Sequence, residues 1–160
     1  MIIEYEDKYL EDLRDLLVEL EEYIVSIDID ELDQVGEEYR EKMALIDLEE
    51  VAENNGKTYL YVKDGKAIGM IMGILRKYDP EDQLDYKCPK AGVVTELVVS
   101  KNARSGGIGK LLIDKMEEYF KEQGCEWMFV EVFGYNSGGI KFYEREGFHT
   151  RMYNMLKRVK

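Results

Sequence analysis

The stretch whose residue types and spacing suit chemistry on an anion is Arg104-Ser105-Gly106-Gly107-Ile108-Gly109-Lys110. It follows the apolar run Val93 to Val99 and opens an amphipathic segment, Leu111 to Met116. A strand, a glycine turn and a helix start therefore come in succession. Such a turn aims backbone N–H groups and the positive end of a helix dipole at one point, which seats a phosphate-bearing ligand. Three phosphate loops compete for this pattern. The ATP-type loop G-x-x-x-x-G-K-[ST] fails twice, because Arg104 stands where it needs Gly and Leu111 where it needs Ser or Thr. The dinucleotide pattern G-x-G-x-x-G/A fails at Leu112. The pattern Arg-x-x-Gly-x-Gly is met in full by Arg104, Gly107 and Gly109.

A second chemical candidate is Glu96, which interrupts the apolar strand before that turn. A carboxylate among apolar neighbours is costly unless it is paired or used. Glu96 is thus a candidate proton acceptor, with a Glu paired to a basic neighbour or facing solvent as the alternative. Strand parity does not choose between them, because one bulge would exchange the faces. The single histidine, His149, reads as structural or surface-exposed, and Cys88 and Cys125 have neither metal-binding nor redox spacing.

The turn and a second stretch together resemble the GNAT superfamily of acyl-CoA-dependent N-acyltransferases. The second stretch is Asn136-Ser137-Gly138-Gly139-Ile140-Lys141-Phe142-Tyr143-Glu144-Arg145-Glu146-Gly147-Phe148, about thirty residues beyond the first with a strand between. It looks like the family's later signature: an Asn opening a helix, a small residue three on, an aromatic-Tyr pair, then Gly-Phe. Gly139 departs from the Ala often found there, and Gly138 puts another glycine in the first helical turn.

The resemblance implies that residues Arg104, Ser105, Gly106, Gly107, Ile108, Gly109 and Lys110 bind the pyrophosphate of coenzyme A. It implies that the main chain of Leu97, Val98 and Val99 pairs with the pantetheine arm, that Asn136 bonds the pantetheine amides, and that an N–H near Leu97 or Val98 polarises the thioester oxygen. By the resemblance Tyr143 would be the general acid for the departing thiolate, while Glu96 is the candidate general base from its place in the strand alone. From periodicity alone, Tyr143 reads as a core aromatic beside Phe142 on an amphipathic helix, and the motif position reverses that; Asn136 is also a helix N-cap by its place. The reaction implied is direct transfer of an acetyl group from acetyl-CoA to a primary amine: a small-molecule amine, polyamine, aminoglycoside or peptide amine. A non-catalytic acyl-CoA-binding or sensor module on the same fold is the alternative.

The elements that must position these residues read as follows. Met1 to Tyr5 suits a first strand, and Leu10, Leu13, Leu16, Leu17, Leu20 and Ile24 recur with helical spacing. Ser26 to Gly36 is an acidic connection in which Asp28, Asp30, Glu31 and Asp33 could attract a cationic acceptor; a solvated loop is the simpler reading. Gly36 to Asn54 suits a second helix, and Thr58 to Val62, Asp64-Gly65 and Ala67 to Leu75 form a hairpin pattern. The loop Arg76 to Lys90, strand Ala91 to Ser100, a helix to Gln123, strand Glu126 to Phe133, helix Asn136 to Glu146 and a final strand or hairpin arm Phe148 to Arg158 complete the chain. The expected class is α/β: one domain over residues 1–160. Its mixed, mostly antiparallel sheet has about six to seven strands, flanked by about four helices. By the resemblance, strands 4 and 5 splay into a V.

Bulk composition bounds the partners. The 160 residues carry 22 Lys and Arg against 34 Asp and Glu, a net charge of −12. That disfavours nucleic acid and anionic membrane as partners; a cationic acceptor would suit such a field, with solubility alone as the simpler reading. No apolar run has membrane-spanning length, no signal-peptide pattern opens the chain, and the two cysteines read as reduced thiols, so a cytoplasmic protein without a bound metal is expected. A homodimer is compatible with all of this.

Overall fold

A computed structural model describes residues 1–160. Strand β1 (Ile2–Glu4) is followed by helices α1 (Leu10–Ile27) and α2 (Tyr39–Glu53), then strands β2 (Lys57–Lys63), β3 (Lys66–Leu75) and β4 (Ala91–Val99). Helix α3 (Ile108–Glu122), strand β5 (Trp127–Val130) and helix α4 (Ser137–Arg145) follow. The five strands lie in chain order, β1-β2-β3-β4-β5. Every pairing is antiparallel except β4 with β5, which is parallel and has α3 as its crossover.

The hairpin forms where the Asp-Gly pair sits. Asp64 and Gly65 both take positive φ, 51° and 78°, the turn whose twist matches that of the flanking strands. Along β2 and β3 the side chains alternate between two cores. Leu60, Met70 and Met72 join Leu13, Leu16 and Leu17 of α1 and Ala44 and Val51 of α2. Tyr59 and Ile71 join Ile108, Leu112, Ile113, Met116 and Phe120 of α3. The sheet is thus covered on both faces, with α1 and α2 on one side and α3 on the other. Gly92 lets α3 lie close, since a Cβ there would sit 2.4 Å from the Phe120 ring.

Strand β4 changes face partway. Met72 is opposite Glu96 while Gly73 is opposite Val94, so Thr95 is an extra residue, a bulge. As a result Val94 packs on the α3 side and Val98 on the α1/α2 side. Without the bulge, two residues four apart would share a face. The bulge thereby puts Glu96 on the side of α1 and α2.

The sheet has five strands, fewer than the six to seven expected. Residues 149–160, where a final strand or hairpin arm was expected, form no secondary structure and are exposed. They take part in no hydrogen bond and no ion pair. Their sequence lacks a clean two-residue alternation, and four cations, Arg151, Lys157, Arg158 and Lys160, interrupt the apolar residues. Neither side of such a strand would be uniformly apolar. Strand β5 is also shorter than expected, and residues 131–135 leave the sheet.

Candidate active site

The pairing of β4 with β5 runs from Ala91↔Trp127 to Val94↔Val130 and stops there. From Thr95 to Val99, β4 is paired only to β3, through Ile71↔Leu97, Met70↔Val98 and Gly69↔Val99. One backbone edge of Leu97, Val98 and Val99 is therefore open, and the gap begins at the bulge. The gap lies between strands 4 and 5, where the V-shaped splay was expected.

At the end of that open edge lies the glycine turn. Gly107 takes φ 74°, with Ser105 at φ 68°, and a Cβ added at Gly107 would meet nothing within 4 Å. The left-handed conformation explains Gly at that position, and the empty space lets a ligand approach the main chain. The backbone N–H groups of residues 104–110 donate to no group in the chain. The first turn of α3 carries no acidic residue. Unpartnered N–H groups at a helix start are what a pyrophosphate requires, so the groups present fit coenzyme A.

The side chains of the turn do other work. Arg104 Nε donates to the Val99 carbonyl at 3.1 Å, and its guanidinium lies 5.6 Å from the Tyr23 ring. Lys110 Nζ is paired to Asp114 at 2.8 Å and Glu146 at 3.4 Å, which ties α3 to the end of α4. Glu19 of α1 accepts from the Lys101 N–H and the Ser100 hydroxyl, holding the loop before the turn. Gly109 serves packing: a Cβ there would sit 3.3 Å from the Phe142 ring, so it permits the close approach of α4.

Helix α4 is fixed by Asn136, whose Oδ1 accepts the Gly139 N–H at 2.8 Å as an N-cap. The Asn136 side chain lies over Gly139, where a Cβ would meet Nδ2 at 2.5 Å. This close contact accounts for Gly in place of the familiar Ala. Tyr143 is held edge-on between Phe142 and Phe148, with ring centroids 5.2 and 5.4 Å away. Burial, with the Glu96 charge adding, raises the Tyr143 phenol well above its ordinary value, so it stays protonated across the physiological range. Its hydroxyl has no hydrogen-bond partner in the chain.

Glu96 is pushed up to about 8, chiefly by burial and further by the charges of Asp47, Glu21 and Glu50. Asp47, itself pushed up to about 6 by burial and then by Glu50, has a buried Oδ2 without a partner. Tyr39 is raised too, by burial and then by Glu21 and Glu96. The sequence did not reveal Glu21, Tyr39 and Asp47 as neighbours of Glu96. Nor did it reveal Tyr23. Asp28, in the acidic connection, builds the loop: it accepts from the N–H groups of Asp30, Leu32 and Asp33 at 2.9, 2.6 and 2.9 Å.

The sequence profile of the Acetyltransferase (GNAT) family matches residues 11–148. The chain belongs to the GNAT acetyltransferase family. Acetyl-CoA is the donor that GNAT acetyltransferases use. Among characterised relatives, N-alpha-acetyltransferase 60 of Xenopus tropicalis is 27% identical over 106 residues. That alignment takes in 64% of this chain and 38% of the relative, so the chain spans well under half of that protein's length. Among solved structures, a mutant of the BH1408 protein from Bacillus halodurans superposes with a TM-score of 0.83 at 17% identity, covering 100% of this chain and 99% of that one. The aminoglycoside N-acetyltransferase AAC(6')-Iy, in complex with the bisubstrate analogue CoA-S-monomethyl-acetylneamine, superposes with a TM-score of 0.69 at 19% identity, covering 100% and 97%. At these identities the structures establish the GNAT fold, not a shared substrate.

Proposed function

We propose that this GNAT domain, spanning residues 1–160, transfers an acetyl group from acetyl-CoA directly to a primary amine. The observation that carries this reading is the juxtaposition of an open β4 edge with the unpartnered N–H groups of residues 104–110. Acetyl-CoA supplies the thioester, an acyl group already activated toward nitrogen nucleophiles. The turn from Arg104 to Lys110 would hold its pyrophosphate through the main chain. Leu97, Val98 and Val99 would pair with the pantetheine arm as a strand, and one of their N–H groups would polarise the thioester oxygen. Asn136 would meet the pantetheine amides with the amide group left over from capping.

Glu96 takes the proton of the incoming ammonium, directly or through water. A value near 8 matches this task, since the best general base sits near the working pH. Tyr143, held protonated, donates to the departing sulfur. Neither Cys88 nor Cys125 lies in the motifs that build the site, so the transfer needs no acylated protein. Both thiols are free, which suits the reducing cytoplasm.

For the acceptor, the carboxyl groups Glu21, Asp47, Glu50 and Glu96 favour an amine over a neutral or acidic molecule. Polyamines, aminoglycosides and peptide amines share that chemistry. The test is thiol release from acetyl-CoA in the presence of each class. Amine-dependent release is expected. Tight CoA binding without release by any amine would replace this reading with a non-catalytic acyl-CoA sensor.

A further inference from the structure

We propose that Arg76 selects the acceptor by pairing with a carboxylate that the acceptor carries a short chain away from its amine. The inference deepens the acetyl-transfer reading and rests on it.

Arg76 follows the end of β3, where its N–H donates to the Ala91 carbonyl at 2.9 Å. Met70, Met72 and Ile74 face α1 and α2, and alternation carries Arg76 to the same side of the sheet. Its guanidinium lies 4.7 Å from the centroid of the Phe129 ring, 5.2 Å from that of Tyr78 and 5.9 Å from that of Tyr86. Three partly buried rings thus hold an exposed Arg side chain. The rings are themselves fixed. Tyr78 and Tyr86 pack at 5.7 Å, the Tyr78 hydroxyl donates to the Pro89 carbonyl at 2.8 Å, and Phe129 belongs to β5. Contact with rings occupies the faces of a guanidinium and leaves its edge of N–H donors free.

That edge has no partner in the chain. The Arg76 side chain donates no hydrogen bond and makes no ion pair. Yet the chain holds 34 Asp and Glu against 22 Lys and Arg, so carboxylates are plentiful. Arg14, Arg40 and Arg104 each reach one. In the loop beside Arg76, Asp82 is used locally, accepting the Asp79 N–H at 2.8 Å. A fixed planar fork with free donors is the group that takes a carboxylate through two parallel bonds. Arg151, 5.7 Å from the Tyr86 ring and also without an ion pair, adds to the positive charge there.

The sheet register connects this fork to the reacting end. Phe129 is opposite Val93, and Val93 is opposite Ile74. Glu96 is opposite Met72. Phe129 and Glu96 are therefore two β3 residues apart along the sheet and one strand apart across it, about 8–9 Å. Both lie on the face that carries α1 and α2. An amine at Glu96 and a carboxylate at Arg76 suit one acceptor with its two groups at that spacing. A free amino acid with a terminal side-chain amine has this chemistry, and so does a peptide with an acidic residue beside its N-terminal amine. A polyamine fits worse, since its second cation meets Arg76.

The experiment measures acetylation of ε-aminocaproate, hexylamine and hexamethylenediamine, which share one carbon chain and differ at its far end. The full chain is expected to show a KM for ε-aminocaproate about tenfold or more below those for the other two. Arg76→Gln should erase that preference through KM rather than kcat. Arg76→Lys should restore only part of it, because an ammonium keeps the charge and lacks the fork. The tripeptide amides Ala-Asp-Ala and Ala-Asn-Ala form a second arm. A preference for the Asp peptide that Arg76→Gln removes identifies a peptide as the source of the carboxylate, and a preference confined to ε-aminocaproate identifies a free amino acid. Calorimetry on the CoA-loaded protein separates this proposal from acetyl transfer itself. No turnover of any amine, with ε-aminocaproate still bound about tenfold more tightly than hexylamine, would refute the transfer reading and keep Arg76 as a carboxylate site. Equal KM values for carboxylate and neutral partners in both arms would overturn the proposal. So would an Arg76→Gln chain in which every KM rises alike, which would make the stacked rings a staple for the loop.

Discussion

The Tyr23 hydroxyl donates to Asn136 Oδ1 at 3.2 Å, joining α1 to the first turn of α4 across 113 residues of sequence. The same oxygen accepts the Gly139 N–H, so one carbonyl both caps α4 and ties it to α1. With Gly138 and Gly139 in that turn, the helix start depends on this oxygen more than an Ala-containing turn would. Tyr23→Phe keeps the ring under Arg104 and removes only the hydroxyl. We expect a loss of about 0.5–1.5 kcal/mol in thermal unfolding, faster hydrogen exchange at residues 138–140, and a higher KM for acetyl-CoA. Unchanged exchange there would mean that the Asn136 cap holds α4 alone.

Glu96 sets the pH dependence. With its carboxyl pushed up to about 8, the base form is scarce at neutral pH, and kcat/KM should rise with pH and level above about 8. Glu96→Gln should remove that rise and lower the rate about 10²–10⁴-fold. Asp47→Asn removes a neighbouring negative charge and should move the rise to lower pH. An Asp47 substitution that alters the rate without moving the profile would contradict electrostatic coupling to Glu96.

The same carboxyl has a stability consequence of opposite direction. A carboxyl raised on folding means that the native state holds its proton more firmly than the unfolded chain. Stability is therefore undiminished below the ordinary carboxylate range, falls as pH rises from about 4.5 to about 8, and levels beyond. Glu96→Gln should stabilise the protein above pH 8 by on the order of 3 kcal/mol and have little effect at pH 4. Thermal melts across that range measure it. An equal effect at both extremes would assign the change to packing.

Tyr143→Phe retains the edge contacts with Phe142 and Phe148 and loses only the proton donor. Turnover should fall about 10²-fold while CoA affinity and melting temperature hold. Equal losses in turnover and affinity would make Tyr143 a packing residue.

Gly107→Val places a branched side chain at φ 74°. It should cost about 1–2 kcal/mol of stability and weaken CoA binding by calorimetry more than tenfold. Retained affinity would move the pyrophosphate away from this turn.

What the sequence made legible was local. The Asp64-Gly65 hairpin, the helix after Gly107 and the cap at Asn136 each follow from a few adjacent residues. The parting of β4 and β5 was legible only through the family resemblance. The face taken by Glu96 was not legible, because the bulge at Thr95 depends on how β3 and β4 register, and parity before it predicts the wrong side. The company of Glu96 was hidden for a related reason: Glu21, Tyr39 and Asp47 come from two other helices and meet it only in the folded chain. The sixth strand failed because residues 149–160 lack a clean two-residue alternation, with Arg151, Lys157, Arg158 and Lys160 interrupting their apolar side chains.

The most direct measurement follows an isotopically labelled acetyl group from acetyl-CoA in a single turnover, by mass spectrometry of both protein and amine. The label should pass to the amine while the mass of the protein stays unchanged throughout. Label accumulating first on the protein, or never reaching any of the polyamine, aminoglycoside and peptide acceptors, would contradict direct acetyl transfer in the β4–β5 cleft.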